Sequence, residues 1–363
     1  MQPFVYNGQP GRIVFGAGSL EHLGREIELL GARRALVLST PEQRDSAEMI
    51  ATRLADRCAG IFDRAVMHVP IETAREARAV ALRLGADCAV TIGGGSTTGL
   101  GKAIALESSL PILAIPTTYA GSEVTPIYGI TEAGIKKTGR DARVLPRTVI
   151  YDPMLTLGLP PSMSVTSAMN AIAHAVEGLY AQDANPIMSM VAEEGIRAIA
   201  SGLPRVHARA DDVEGRSECL YGAWLCGSVL GNVGMALHHK LCHTLGGTFN
   251  LPHAETHTIV LPHATAFNEA AARAAMQRVR RALGCAGSAA QGLYDMAATH
   301  GAPLALRDLG LREVDLDRAA DIAVTAPYWN PRPIDRVGIR ALLHDAFHGR
   351  RPVADSDGSC GAV

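Results

Sequence analysis

Short apolar runs alternate with helical periodicity along the first 153 residues of the chain. Runs of apolar and β-branched residues predict strands at residues 35–39, 88–92, 112–115 and 149–151. Between these runs, apolar positions recur every three or four residues and predict helices over residues 42–58, 71–84 and 97–105. Because strands that alternate with helices indicate a parallel sheet covered by helices, we predict an α/β N-terminal domain over residues 1–155.

The second half of the chain has a different pattern. Long, alanine-rich segments with helical periodicity cover residues 162–180, 187–201, 214–230 and 268–282. No segment there predicts a strand, so we expect an all-α C-terminal domain over residues 156–363. A cleft between two such domains is the usual place for a ligand.

Composition excludes several classes of protein. The chain has 363 residues, of which 47% are hydrophobic and only 4% aromatic, so we expect two domains with aliphatic cores. A formal net charge of −2 gives no reason to expect nucleic acid or an anionic membrane as a partner. No apolar run reaches the ~20 residues that a membrane span needs, and the N-terminus has no signal pattern. We therefore expect a cytoplasmic protein with a small-molecule ligand.

Seven cysteines are scattered along the chain without a CxxC pair. This number and spacing favour free thiols over a disulfide framework. Cys242 directly precedes His243, where its oxidation or alkylation would block a neighbouring site, but a small buried hydrophobic residue is the favoured interpretation. The tail from residue 350 to residue 363, which includes Cys360, is small and polar and is predicted to fray.

Histidines are concentrated in two segments. The sequence MALHHKLCHTLGGTFNLPH at residues 235–253 contains His238, His239, His243 and His253. His239 and His243 are four residues apart, as are Asn170 and His174 in SAMNAIAHAVEG, so each pair shares one face of a helix. Imidazole can bind a divalent metal, move a proton near neutral pH or carry positive charge toward an anion. The two segments predict a polar pocket in the helical domain, with these three chemistries open.

A glycine-rich sequence, GGGSTTGLGK at residues 93–102, follows a predicted strand and begins a helix. Its glycines allow the backbone to approach a phosphate, and the helix N-terminus attracts negative charge. Its spacing is neither GxGxxG nor that of a P-loop, and a tight turn without a ligand is the alternative. PTTYAGSE at residues 116–123 follows the next strand, so two loops can bracket one dinucleotide. The candidate cofactor residues are Gly94, Gly95, Ser96, Thr117, Thr118 and Ser122.

The first strand with helices on both sides ends at Ser39 and Thr40. A site for NAD usually has an acidic residue at such a strand end, which binds the ribose hydroxyls. Because no carboxylate lies at this tip in the sequence, we expect Ser39 to contact the cofactor and NADH and NADPH to be used with little discrimination.

Together these motifs resemble the iron-containing alcohol dehydrogenase superfamily. GAGS, GGGSTTGLGK, PTTYAGSE, the NAIAH helix and HHKLCHTLGG with the following PH extend the resemblance from about residue 16 to residue 332. PTTYAGSEVTPIYGITE, KKTGRDARVLP and APYWNPRP further resemble its maleylacetate reductase branch. The resemblance implies a dehydroquinate synthase-like fold, a homodimer and NADH or NADPH as cofactor. It also implies reduction of 2-maleylacetate, a small dicarboxylate, to 3-oxoadipate in the degradation of aromatic compounds.

The resemblance also implies a degenerate metal site. The superfamily binds its metal with one aspartate and three histidines, and the histidines match His174, His239 and His253. The aspartate position is Asn170 here, and a neutral amide is a poorer ligand for a divalent ion. Three imidazoles alone can bind Zn²⁺ or Fe²⁺, but at this degenerate site we expect no metal.

The implied substrate gives a chemical reason for losing the ion. Hydride addition to an alkene conjugated with a ketone places charge on a delocalised enolate, which hydrogen-bond donors or imidazolium can stabilise. We hypothesise that His174, His239, His243 and His253 form a proton-donating pocket that holds positive charge when the dianionic substrate is bound. His243 is the favoured donor, because the superfamily position that it matches lies near the nicotinamide and is not a ligand.

Further candidates are assigned around this pocket. We expect Asn170, Lys240, Tyr119 and Arg332 to contact the substrate or the nicotinamide. The alternative for Tyr119 is an aromatic ring packed in the core, and the alternative for Arg332 is a place in a loop that docks the two domains. Lys136, Lys137, Arg140 and Arg332 are candidate clamps for the carboxylates, and Lys137 is also assigned to the cofactor. The alternative function is a metal-dependent dehydrogenase of a small alcohol. A dehydroquinate synthase-like lyase is the third, and Asn170 argues against both.

Overall fold

A computed structural model of the chain describes residues 4–9, 11–133, 135–325 and 328–353. Cys360 and most of the tail that is predicted to fray lie outside the described residues. Ala326 and Pro327, in the APYWNPRP segment, lie outside them as well.

The N-terminal half is built on a parallel sheet of six strands in the order β1-β8-β5-β4-β2-β3. These strands are β1 (Arg12–Phe15), β2 (Ala35–Leu38), β3 (Cys58–Phe62), β4 (Cys88–Gly93), β5 (Ile112–Pro116) and β8 (Thr148–Tyr151). All residues of β2, β4, β5 and β8 are buried, as is typical of a sheet covered on both faces. The predicted α/β half with a parallel sheet is therefore confirmed.

Four helices cover this sheet: α1 (Leu23–Leu29), α2 (Arg44–Leu54), α3 (Ile71–Arg83) and α4 (Gly95–Ser108). The last three correspond to the predicted helices. The prediction that α2 continues to Cys58 is wrong, because the chain leaves the helix at Ala55, which has a φ of 50°. Cys58 instead begins β3, a strand that the sequence pattern did not predict.

A two-stranded antiparallel hairpin, β6 (Ile127–Glu132) and β7 (Ile135–Arg140), lies outside the main sheet. Polar residues dominate β7, so its pattern gave no strand signal. Thr131 lies opposite Lys136 in the hairpin and also binds the turn that precedes α3. There its N–H donates to the carbonyl of Val69 at 3.0 Å and its hydroxyl donates to that of His68 at 2.7 Å. The hairpin is thereby joined to the segment between β3 and α3.

Helices form the second half. They are α5 (Pro161–Leu179), α6 (Pro186–Ala208), α7 (Val213–Asn232), α8 (Leu237–Phe249), α9 (His253–Asn268), α10 (Arg273–Leu283), α11 (Ala289–Thr299), α12 (Asp315–Thr325) and α13 (Arg336–His348). The predicted helical half is confirmed. The helix predicted over residues 268–282 is instead the end of α9 followed by α10. No single helix of the described residues is long and apolar enough to cross a membrane, although α7 and α8, bent by 95°, pass such a test as a pair.

α5 lies at the centre of the molecule. It is buried from Ala168 to Leu179 and packs against α6, α7 and α9. The same hydrophobic core includes Val149 and Tyr151 of β8, so the sheet and the helices share one apolar interior. Burial of this shared apolar surface fixes the helices that carry the predicted pocket against the sheet that carries the glycine loop.

Lys102 ties the glycine-loop helix to the loop after β5. It lies within α4 and its side chain is wholly buried. Its ammonium group donates to the carbonyl oxygens of Ser122 (2.6 Å), Thr125 (2.9 Å) and Ile127 (2.7 Å). A buried charge that satisfies three carbonyl oxygens is a structural cross-link, so the lysine of GGGSTTGLGK does not bind phosphate in this fold.

Replacement of this cross-link is expected to destabilise the fold. In Lys102→Met the three carbonyl oxygens lose their donor, and the free energy of unfolding should fall by about 3 kcal/mol. Lys137→Met is the matched control, because Lys137 makes only an exposed ion pair with Glu132 and should cost less than ~1 kcal/mol. Urea unfolding followed by circular dichroism measures both, and equal losses would contradict the structural role of Lys102.

Candidate active site

Three polar side chains lie on one face of the otherwise apolar helix α5. Asn170, His174 and Glu177 are spaced by four and three residues, which brings them to neighbouring positions on the helix surface. Their exposed fractions are 5%, 4% and 0%. Buried polar groups are costly without partners, so this face needs a partner surface, and α8 and α9 provide it.

Glu177 anchors the N-terminus of α8. Its carboxylate accepts backbone N–H groups of Ala236 at 2.9 Å and His238 at 2.7 Å, and the Nδ1 nitrogen of His239 lies at 2.6 Å. These N–H groups have no partner within the helix, and a helix N-terminus favours negative charge. Burial alone would raise the pKa of Glu177, but the hydrogen bond and charge of His239 and the neighbouring donors lower it to about 2. The carboxylate is ionised at neutral pH.

The bond to Glu177 orients the His239 ring. With Nδ1 donating to the carboxylate, Nε2 points away from Glu177 and is buried without a partner. The His174 ring lies 5.2 Å from the His239 ring. Asn170 Oδ1 and His174 Nδ1 are also buried without partners. The structure therefore brings Asn170, His174 and His239 together as predicted, around a group of unpaired polar atoms.

α9 contributes two more imidazoles. His253 begins the helix after Pro252, and the His257 ring follows one turn later with a centroid separation of 4.3 Å. His257 Nδ1 lies 3.0 Å from His238 Nε2, so these two wholly buried rings share one hydrogen bond. The Cys242 sulfur lies 3.7 Å from the same nitrogen of His238. Cys242 is 2% exposed and burial raises the pKa of its thiol, which agrees with the interpretation of a small buried residue.

His243 and His253 form the open side of the cluster, and both side chains are exposed. Desolvation by the surrounding atoms and the neighbouring positive groups lower the pKa of His243 to about 4 and that of His253 to about 3. The same causes lower the pKa of His238 to about 3 and shift those of His174 and His257 downward. These imidazoles are neutral at pH 7 without a ligand. The hypothesis of a cationic histidine pocket concerns the protein with its dianionic substrate bound, and it stays a prediction.

The two predicted cofactor loops lie side by side. β4 and β5 are hydrogen-bonded neighbours, with Gly93 opposite Pro116, so Gly94–Ser96 and Thr117–Thr118 leave the same edge of the sheet. A Cβ atom on Gly94 would lie 3.1 Å from the Thr118 side chain, which leaves little room for any other residue there. Gly95 begins α4 and is exposed, so the first N–H groups of this helix face solvent. This arrangement is typical of a dinucleotide phosphate site.

The cofactor loop contacts the helix that carries the cluster. The N–H of Tyr119 donates to the hydroxyl of Ser167 at 2.9 Å. Ser167 precedes Asn170 by three residues on α5, which corresponds to about 4.5 Å along the helix axis. A ligand that extends from the glycine loop along this contact would therefore end beside Asn170 and the histidines.

Two predicted cofactor residues have other contacts. The Ser122 hydroxyl is 3.2 Å from the buried ammonium of Lys102 and belongs to that cross-link. Ser39 is wholly buried with an inaccessible hydroxyl, so it does not face a ligand. The tip of β2 itself, at Ser39 and Thr40, carries no carboxylate, as predicted. Glu42 is exposed on the turn that follows, where its own backbone N–H and the Thr40 hydroxyl lower its pKa.

The lysine pair of β7 divides between two surfaces. Adjacent residues of a strand point to opposite sides, and Lys137 binds Glu132 at 2.8 Å on the exposed side. The charge of Lys136 is, after desolvation, the largest cause that lowers the pKa of His253, and it acts on His243 as well. Lys136 therefore lies on the cluster side. The assignment of Lys137 to the cofactor stays a prediction, and Lys136 is the better candidate for a substrate carboxylate.

Tyr119 is part of the core. Its ring is wholly buried, and its hydroxyl accepts a hydrogen bond from Arg216 at 3.3 Å. Arg216 is itself fully buried and also donates to Ser164 Oγ at 2.7 Å and to the Leu159 carbonyl at 2.8 Å. The prediction that Tyr119 contacts the substrate or the nicotinamide is therefore wrong.

The APYWNPRP segment contacts two separate regions. Arg332 lies over the ring of Phe267 at 4.0 Å and donates to the Phe267 carbonyl at 3.2 Å, near the end of α9. Because His253 begins that helix, Arg332 is roughly 20 Å from the cluster, and the prediction that it binds substrate is wrong. Tyr328 instead lies near the site, since its ring is 5.8 Å from the Lys240 ammonium and its buried hydroxyl has no partner. Lys240 keeps its place beside the predicted pocket.

Sequence reasoning missed Glu177, Tyr328 and the role of the His238–His257 pair. A signal existed for Glu177, since it is the lone acid in an alanine-rich helix, three residues after His174. His257 also has a signal, because it follows His253 by four residues. Tyr328 gave none, because its position depends on how the segment after α12 packs.

The metal positions of the superfamily fit an ion poorly here. Two imidazoles on one Zn²⁺ each place a nitrogen about 2.0–2.1 Å from it, which brings those nitrogens to within about 3.5 Å of each other. Among the described residues, ligand atoms converge within 4.8 Å in two groups, His238–Cys242–His257 and the surface group Glu313–His344–His348. His174, His239 and His253 are not such a group. Asn170 further removes the carboxylate that would offset the charge of the ion.

Comparisons with known proteins agree along the whole chain. The model of the iron-containing alcohol dehydrogenase family matches residues 10–153, and that of its C-terminal region matches residues 164–347. Maleylacetate reductase of Burkholderia cepacia is 63% identical over 352 residues, which are 97% of this chain and 100% of that protein.

Two solved structures show the same fold. A putative alcohol dehydrogenase from Ralstonia eutropha JMP134 has a TM-score of 0.97 and 68% identity, over 97% of this chain and 100% of that one. Maleylacetate reductase from Agrobacterium tumefaciens has a TM-score of 0.94 and 55% identity, with the same coverage.

Glu177→Gln tests the anchoring carboxylate. Its pKa is lowered from 4.5 to about 2 in the folded protein, so its contribution is present above pH 4.5 and is lost as the pH falls toward 2. At pH 7 the variant should lose about 2 kcal/mol, and its difference from the parent should close across that window. Urea midpoints measured from pH 7 down to pH 3 give this curve.

Glu194→Gln is the control, because Glu194 forms only a surface pair with Arg197 and should cost less than ~1 kcal/mol. A loss in Glu177→Gln that stays constant with pH would contradict the role of the charge.

Proposed function

Because the chain belongs to the iron-containing alcohol dehydrogenase family, we propose that it reduces 2-maleylacetate to 3-oxoadipate with NADH or NADPH. The observation that carries this proposal is 63% identity to a maleylacetate reductase over the full length of that protein. The geometry supports it, since an open cluster of imidazoles, Lys136 and Lys240 suits a substrate with two carboxylates.

The reaction consumes one hydride and one proton. A bound nicotinamide supplies the hydride to the alkene carbon that is β to the ketone, and the alkene electrons move onto the carbonyl oxygen as an enolate. The α carbon then takes a proton, so the carbon–carbon double bond becomes a single bond. The protein must bind two carboxylates, stabilise one delocalised negative charge and deliver one proton.

The exposed histidines are placed for the proton. His243 is accessible, and we assign it as the donor. Its imidazole is neutral in the free protein, so the negative charges of the bound dicarboxylate are needed to raise its pKa before it can act as an acid. His239 is held by Glu177 with Nε2 directed into the cluster, and as an imidazolium paired with the Glu177 carboxylate it can donate from Nε2 to the developing enolate.

The substrate carboxylates require cations. Lys136 on the hairpin and Lys240 on α8 are the candidates near the open side of the cluster. Lys136 already acts electrostatically on His243 and His253, so a carboxylate bound there also stabilises an imidazolium beside it. We propose that this pairing, together with the enolate's delocalised charge, makes a Lewis acid unnecessary.

The proposal extends to the cofactor site, the oligomeric state and the location of the enzyme. The N-terminus of α4 and the loops after β4 and β5 would hold the phosphates of the cofactor. Glu42 near the β2 tip favours NADH over NADPH, against the expectation of little discrimination. We further propose a homodimer in the cytoplasm that acts in the degradation of aromatic compounds, with no nucleic acid or membrane as partner.

An assay with a panel of substrates tests the proposed reaction. NADH oxidation should be rapid with 2-maleylacetate. NADH oxidation with short-chain aldehydes, and NAD⁺ reduction with short-chain alcohols, should be at least ~100-fold slower, because only a dicarboxylate contacts both Lys136 and Lys240. Pre-incubation with a chelator should leave the rate unchanged. Preference for a small alcohol together with loss of activity on chelation would establish the metal-dependent alternative instead.

His243→Gln tests the proton donor. Loss of the donor should lower kcat with maleylacetate by about 10²–10⁴-fold and change KM little, because the proton is needed after substrate binds. His207→Gln is the control, since His207 is exposed on α6 and is not one of the cluster histidines. A kcat within threefold of the parent would remove His243 from the mechanism.

A further inference from the structure

The His257 ring lies among the other imidazoles of the cluster. Its centroid is 4.3 Å from that of His253, 4.8 Å from that of His238 and 5.1 Å from that of His239. The His174 ring is 6.4 Å away. His253 and His239 match the metal-ligand positions of the superfamily, so His257 lies beside both of the rings that would share an ion.

The position of His257 is fixed from several directions. Its exposed fraction is 0%, and its Nδ1 shares the hydrogen bond with His238. The adjacent Thr258 donates to the Ala254 carbonyl of its own helix at 2.8 Å and lies 3.4 Å from the Thr166 carbonyl of α5. The backbone at His257 is therefore held against α5, and the hydrogen bond to His238 orients the ring.

The remaining nitrogen of His257 has no partner. Nε2 is buried and unpaired, as are His239 Nε2 and Asn170 Oδ1. An ion at the metal position of the superfamily requires the ligand nitrogens of His174, His239 and His253 to converge on one point. It would also have to serve as the partner of the unpaired polar atoms around it. Those ligand nitrogens do not converge within 4.8 Å, and a bulky ring lies next to two of them.

We propose that the His257 side chain occupies part of the space that an ion shared by His239 and His253 requires, so that the chain excludes metal by volume as well as by the loss of charge at Asn170. The inference rests on the proposed metal-free reaction and adds its structural cause. It makes a specific statement: restoring the carboxylate alone does not restore metal binding, because the ring still fills the site.

Cobalt binding by a set of full-length variants tests this proposal. The variants are Asn170→Asp, Asn170→Asp with His257→Ala, and Asn170→Asp with His263→Ala. His263 is the matched control, because it is also a buried histidine of α9 with an unpaired Nε2, yet it is not among the cluster rings. Each protein is dialysed against Co²⁺, and bound metal is measured by mass spectrometry and by visible absorption.

The expected result is about one cobalt per chain only when the carboxylate is restored and His257 is removed, with at least tenfold less in the parent and in the other two variants. Stoichiometric cobalt in Asn170→Asp alone, or in the His263 control to the same extent, would overturn the proposal. Stoichiometric metal in the parent that Cys242→Ala abolishes would also overturn it, because His257 would then be a ligand in the His238–Cys242–His257 group.

A second measurement uses only the parent protein and a single variant, so it does not depend on whether a double variant folds. In the parent protein with ¹⁵N-labelled histidine, the shared proton between His238 and His257 should give a protected ring N–H resonance that is absent from His257→Gln. One equivalent of Zn²⁺ should leave this resonance unchanged, and its loss or shift would contradict the proposal.

The two proposals fail in different ways. Chelator-sensitive turnover of maleylacetate by a metal-containing parent would refute the metal-free reaction. Metal binding by Asn170→Asp alone, with an active and metal-free parent, would refute only the role of His257.

Discussion

The candidate site depends on one buried carboxylate. Glu177 has no exposed surface, and it binds two backbone N–H groups at the start of α8 together with the ring of His239. The helix N-terminus provides donors that need a negative partner, and α5 provides that partner from the centre of the molecule. This interaction sets where α8 begins, which ring nitrogen of His239 faces the site and how the histidines of α8 meet those of α9.

The electrostatics of the cluster follow from the same burial. One ionised carboxylate lies beneath several imidazoles that desolvation keeps neutral, so the empty site holds little positive charge of its own. Positive charge lies instead at the rim, on Lys136 and Lys240. A dianionic ligand therefore brings the negative charge that allows an exposed imidazole to take a proton. We propose that in this arrangement the acid forms when substrate binds.

Much of the fold could be predicted from the sequence because its strands are buried on both faces and its helices are long. β2, β4, β5 and β8 are continuous apolar runs, and the glycine loop marks the edge at which β4 ends. The β6–β7 hairpin was missed, since β7 is mostly polar and the hairpin is held by pairing between its strands and by contacts with the turn at His68, which apolar alternation does not show. For the same reason the pattern did not show that Lys136, and not Lys137, lies on the side of the cluster.

Histidine spacing predicted that residues of α5, α8 and α9 would meet, but it could not assign their partners. Tyr119 and Arg332 are residue types that often bind ligands, but here they pack against other parts of the chain. Tyr119 contacts Arg216 and Arg332 contacts Phe267, and these contacts exist only in the folded protein. Glu177 lies within the SAMNAIAHAVEG segment, and His257 lies four residues after the end of the histidine-rich segment, but spacing gave neither of them a role. Their roles depend on which side chains lie close together in the folded chain, and spacing along the sequence does not give those distances.

The central claim is that these imidazoles meet a dicarboxylate without an ion among them. A crystal structure with NADH and a non-reactive dicarboxylate, recorded at the iron and zinc absorption edges, tests it most directly. The account predicts the ligand beside His243 and Lys136, with no anomalous peak between His174, His239 and His253. A strong peak within bonding distance of those rings would contradict it.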